Sequence, residues 1–187
     1  MKSRILILSL AIFAFSAFKA HAQVDATINP INLLFGTITV GADVVLTDEF
    51  SVEATLGYTS RKDDVLAADA KYTGIPIQLI GKYYFNPDRG ADKFYADVFL
   101  RYVNRSYKYD DDSANFSDFN QSRIGAGIGF GYKTVSRSNI VFDFGLNVGR
   151  VIADNTKYAD SSGTQEEFSL PGLIIGVKLG VGYRFGS

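Results

Sequence analysis

The chain has 187 residues, with 19 Lys and Arg, 20 Asp and Glu, one His and neither Cys nor Trp. That length suits one domain. The balanced charge argues against a nucleic-acid partner, and the lack of Cys removes disulfides, thiol catalysis and Cys-based zinc sites together.

Residues 1–22 are expected to be a secretory leader. Lys2 and Arg4 form a positive start, Ile5 to Phe18 an apolar run, and Ala20-His21-Ala22 a small-residue cleavage site. Residues 23–187 would then be the mature domain. Lys2, Arg4 and Lys19 leave with the leader, so 16 basic and 20 acidic residues remain, a net charge of −4. His21 leaves too. A mature chain without His has no ordinary Ser-His-Asp centre, so a non-enzyme without cofactor or metal is expected.

Eight segments alternate with a period of two, the signature of strands with one apolar face. The first sets Val24, Ala26, Ile28 and Pro30 against Asp25, Thr27 and Asn29. The second sets Ile38, Val40, Ala42, Val44 and Leu46 against Thr37, Thr39, Gly41 and Asp43. The third sets Phe50, Val52, Ala54, Leu56 and Tyr58 against Ser51, Glu53, Thr55 and Gly57. The fourth has Ile75, Ile77, Leu79, Tyr83 and Phe85 opposite Gly74, Gln78, Lys82 and Tyr84. The fifth has Phe94, Ala96, Val98, Leu100 and Tyr102 opposite Tyr95, Asp97, Phe99, Arg101 and Arg105. The sixth has Ile124, Ala126, Ile128, Phe130 and Tyr132 opposite Arg123, Lys133 and the glycines at 125, 127, 129 and 131. The seventh has Ile140, Phe142, Phe144, Leu146 and Val148 opposite Asp143, Gly145, Asn147 and Gly149. The eighth, 173–185, is apolar on its odd face and carries glycines, Lys178 and Arg184 on its even face.

Two regularities favour a barrel that spans a membrane. Charged residues within these spans lie on the polar face, Arg150 alone excepted. Short turns near 47–49, 86–92 and 135–138 alternate with longer loops near 61–70, 107–121 and 153–170, as expected when both termini lie in the periplasm. A soluble lipocalin-like barrel would show the same alternation with its faces exchanged. Tyr83, Phe85, Tyr132, Tyr183 and Phe185, with Phe50 and Phe94, gather at one end as an interfacial girdle, which favours the membrane.

The ending Lys178-Leu-Gly180-Val-Gly-Tyr183-Arg-Phe185 resembles the terminal signal by which barrel-assembly machinery recognises its substrates; Gly186 and Ser187 extend beyond the last aromatic. With the leader and the eight segments, the chain resembles the small OmpA/OmpX-like outer-membrane barrels. The resemblance implies an eight-stranded antiparallel up-and-down transmembrane β-barrel in a bacterial outer membrane. Its surroundings would be lipid and lipopolysaccharide. It carries no active-site residues across.

Inside such a barrel, Asp25, Asp43, Glu53, Lys82, Asp97, Lys133, Asp143 and Arg184 are expected near the periplasmic end as a ring of cross-strand ion pairs closing the lumen; a solvated lumen is the alternative. Arg101, Arg105, Arg123 and Lys178 are expected nearer the outside, either pairing with acidic loops or forming an anion-attracting vestibule. The glycines of segment six make room for Tyr95, Phe99 and Arg101. Asp110-Asp111-Asp112 with Asp118 could bind calcium, although a solvated loop fits the spacing better. The leading functional expectation is a plugged surface barrel serving envelope integrity, adhesion or another extracellular partner. The second is a narrow porin-like channel for ions or small solutes.

Overall fold

The computed structural model describes residues 23–63, 70–109, 119–158 and 172–186. Strands β1 (Val24–Ile28), β2 (Thr37–Val45), β3 (Phe50–Asp63), β4 (Ala70–Tyr84), β5 (Lys93–Tyr109), β6 (Phe119–Val135), β7 (Ile140–Tyr158) and β8 (Leu173–Phe185) follow one another in sequence and in space. Each pairs antiparallel with its chain neighbour, and β1 pairs with β8, which closes the barrel. The fold is therefore all-β and up-and-down. The leader, the acidic run at 110–112 with Asp118, and the centres of the three long loops lie outside the described residues.

Closure removes every strand edge, and one face of each strand must then point inward. Here the inward face is the polar one. Asp25, Lys133 and Tyr84 are 0% exposed, whereas Val98 and Ile128 are each 62% exposed and Ile175 is 73% exposed. This is the reverse of a soluble barrel with an apolar lumen.

Four features differ from the sequence reading. The first strand ends at Ile28 rather than reaching Pro30. Pro30 instead opens a single helical turn, α1 (Pro30–Leu33), because it has no N–H to give a ladder and its φ suits the first helical position. Gly36, at φ +67°, then turns the chain into β2. Strands β3 to β7 also run further than their apolar alternation. Backbone ladders need no apolar side chains, and Tyr72 and Tyr107 pack inside this polar extension with ring centroids 5.0 Å apart. The register between β6 and β7 shifts at Ile124/Gly125, leaving Ile152 as an extra residue in β7. Lastly, the connection between β4 and β5 does more than turn. Ala91 is 0% exposed, and its N–H donates to the carbonyl of Asp48 at 2.7 Å, so this connection packs beneath the barrel.

The glycine column of β6 faces large side chains on β5. A Cβ on Gly131 would collide with the Tyr95 ring and one on Gly127 with Phe99. Gly81 lies on the outer face, where a Cβ would meet only Val98 at 3.8 Å. Gly131→Val should therefore lower stability by about 1–3 kcal/mol through overpacking, while Gly81→Ala leaves it close to the parent. Urea midpoints of the two folded variants test this.

Candidate functional site

The site is the barrel axis. Side chains from all eight strands meet there. Lys82 on β4 sends its ammonium to Asp43 Oδ2 at 2.8 Å, Glu53 Oε2 at 2.6 Å and Asp143 Oδ2 at 2.9 Å. Lys133 on β6 reaches Asp25 Oδ2 at 2.8 Å and Asp43 Oδ2 at 2.7 Å. Lys178 on β8 pairs with Glu53 and with Asp143 Oδ2, the latter at 2.5 Å. Arg184 grips Asp25 with two donors, Nε to Oδ1 at 2.6 Å and Nη2 to Oδ2 at 2.9 Å. The Tyr95 hydroxyl donates to Asp143 Oδ1 at 2.7 Å.

Four carboxylates and four cations thus form one connected, formally neutral layer. Its registers explain the connections. Asp25 lies opposite Asp43, and Asp43 opposite Glu53. Three adjacent strands therefore present a wall of like charge, which the flanking strands meet only at its two ends, through Arg184 at Asp25 and Lys82 at Glu53. The remaining charge is met from across the lumen, and lysine stems are long enough to reach the axis. Lys82 accordingly leaves its register neighbour Asp97 for Asp43 and Asp143. The arrangement is a layer cross-linked through the axis, with neighbouring-strand pairs only at Arg184–Asp25, Lys82–Glu53 and Lys178–Asp143.

Two expected positions change. Lys178 belongs to this layer and not to the upper basic group, because its flexible stem turns down to Glu53 and Asp143. Asp97 is buried but forms no ion pair among the described residues; Asn147 lies beside it, and Asp97 Oδ1 has no hydrogen-bond partner. Of the remaining upper group, Arg123 pairs with Asp154 at 2.8 Å. That pair depends on the extra residue Ile152. Without it, Asp154 would share the outward parity of Arg150; with it, Asp154 faces Arg123 across the β6–β7 ladder. The sequence reading placed Asp154 in the loop at 153–170, so this pair was not expected.

The layer has support below and space above. Beneath it, Tyr84 and Tyr95 pack with Val45 and Ala91. Arg184 Nη1 donates to the carbonyl oxygens of Arg89 at 2.6 Å and Gly90 at 2.5 Å, tying the β4–β5 turn to the charge layer. Above it lies a cavity of about 450 Å³, floored by Glu53 and Lys178 and bounded at the top by Ile31, Asn32 and Phe35. Asp43, Glu53 and Asp143 bring carboxylate oxygens within 4.8 Å of one another, a donor set that suits a hard cation. The Lys82 ammonium already sits among the three.

The fold and this interior define a closed eight-stranded antiparallel barrel with a charged axis. The chain belongs to the family described as protein of unknown function (DUF3575), whose pattern matches residues 5–170. No curated protein matches it.

Removing one member of a desolvated charge network leaves its partners buried and uncompensated, at a cost of about 3–5 kcal/mol. Lys82→Met should lower stability by that amount or prevent folding. Asp97→Asn, which breaks no ion pair, should stay within about 1 kcal/mol of the parent. Equal urea midpoints for Lys82→Met and the parent would show that the layer contributes nothing.

Proposed function

We propose that the protein is a non-enzymatic barrel of the bacterial outer membrane, similar in kind to the OmpA/OmpX-like barrels, with a plugged lumen and both termini in the periplasm. The observation that carries this reading is the inverted polarity: buried charge at the axis and an apolar outer face. On β5 that face runs from Phe94 to Tyr102, and on β8 from Leu173 to Phe185. At about 3.3 Å per residue and the usual tilt, these runs cover roughly 20–30 Å of height, close to the apolar band of a membrane barrel.

The aromatics support the same reading. Phe50 and Tyr83 lie 4.9 Å apart, Tyr83 and Phe85 5.0 Å, Phe85 and Phe94 5.8 Å, and Tyr183 and Phe185 5.0 Å. They form a belt at the end carrying Gln23 and Gly186, where an interface between lipid and water would fall. On β8, Lys178 and Gly180 face inward while Tyr183 and Phe185 face outward. The assembly machinery would read that outward aromatic pair before insertion. Lipid and lipopolysaccharide would surround the band, and the loops above β3 to β8 would meet extracellular partners. The role is envelope integrity or surface interaction, with no cofactor.

Leu179 lies on the outer face opposite Phe144. Leu179→Arg should cost about 2–4 kcal/mol in lipid, as charge on a barrel's lipid face does. A variant that refolds into lipid as well as the parent would overturn the assignment of faces. The function itself is tested by conductance in planar bilayers, with a heat-modifiable gel shift to verify folding. Folded protein that stays silent is the expected outcome. Discrete current steps would replace the plugged barrel by the narrow channel.

A further inference from the structure

Three arginines outside the charge layer line the cavity above it: Arg61, which stacks on the Tyr72 ring at 4.9 Å, and Arg101 and Arg105. Arg101 and Arg105 lie on β5 and face the lumen, with Val103 between them. Among the described residues neither guanidinium makes an ion pair, whereas Glu53 and Lys178 on the cavity floor are paired with each other. Arg105 Nε is buried and has no hydrogen-bond partner. Among the described residues, the contact that favours its charge is the Tyr72 ring, whose centroid is 5.9 Å from the guanidinium carbon. Two like charges this near each other repel, and buried unpaired charge is costly. A fold that puts so many lumen ions into close pairs leaves these two facing open space.

We propose that this cavity is a binding site for a small organic anion, a free solute bearing a carboxylate or phosphate group. The anionic oxygens would sit between Arg101 and Arg105, since a guanidinium fork matches such groups with two parallel donors. The rest of the ligand would lie against Phe99, Val103 and Ile80, which line the same wall. The volume of about 450 Å³ falls in the range of small-molecule sites, roughly 300–1,000 Å³. Arg123 takes no part, because Asp154 already neutralises it. The proposal rests on the cavity and its charges, and holds whether the barrel conducts or not.

Titration calorimetry of the folded barrel in detergent, with phenyl phosphate and benzoate as probes and benzamide as the neutral control, tests it. Saturable binding of at least one anion is expected, with none of benzamide. Arg101→Gln and Arg105→Gln should each weaken binding by roughly tenfold or more, the loss of a charge-assisted hydrogen bond. Arg137→Gln, exposed on the β6–β7 turn, should leave it unchanged. Removing one of two repelling charges should not hinder folding, so the Gln variants should unfold at the same urea concentration as the parent or higher. If they nevertheless fail to fold, Arg101→Lys, which keeps the charge but loses the fork, should bind more weakly than the parent. The probe anion should also raise the urea midpoint of the parent, as any ligand of the native state does. No saturable uptake of either anion, or equal affinity in the folded double Gln variant, would overturn the site.

Discussion

Everything in this molecule depends on how eight strands treat charge at their common axis. A barrel of that size has an interior that side chains can fill and that leaves little room for bulk water. Each carboxylate placed there loses several kcal/mol of hydration unless a cation replaces the water. Lys82, Lys133, Lys178 and Arg184 do so for Asp25, Asp43, Glu53 and Asp143. Five of these pairs reach across the lumen and so brace strands that are not neighbours. The lysine linking β2, β3 and β7 ties a third of the barrel wall to its opposite side. Backbone ladders hold neighbouring strands; the charge layer holds the barrel's cross-section.

The same layer sets what can lie on the outer face. With the charges consumed inside, the exterior is left almost wholly apolar and has to be covered. In the function proposed above that cover is lipid, which matches the height of the band and the belt of aromatics at one end. The interior then divides into a filled lower part and a hollow upper part. The lower part is electrically balanced and sterically complete. The upper part, with Arg101 and Arg105, is neither, and it is there that a solute has something to gain by entering.

Much of this was legible in the sequence, for physical reasons. The eight alternating segments could be read because a half-buried strand must alternate, and the inward charges because they share one parity. The glycines at 127 and 131 announced bulky partners because no other residue tolerates a ring against the backbone. What remained hidden depended on distances across the lumen. Nothing in the one-dimensional order of Lys82 and Asp97 reveals that they face each other yet do not pair, since the choice follows from the acidic wall built by Asp25, Asp43 and Glu53. The extra residue Ile152 broke the parity that carried the argument, so Asp154 was assigned to a loop. Lys178 was misplaced in height because a long stem separates its charge from its Cα. The packing of Ala91 and its neighbours beneath the barrel left no periodic trace.

The seam between the first and last strands has a consequence for how the molecule comes into being. That ladder has five residue pairs, Val24 with Phe185 through Ile28 with Val181. Its clasp, Asp25 with Arg184, joins residues 159 positions apart. No other step must draw together such distant parts of the chain, and the entropy of closing a loop rises with its length. Arg184 also holds the carbonyls of the β4–β5 turn. Closing the circle and sealing its floor are therefore one event, available only after the last strand has been made. Until then the molecule is an open sheet whose half-finished interior carries unmatched charge, so contact order makes this closure the slow, final step of its birth.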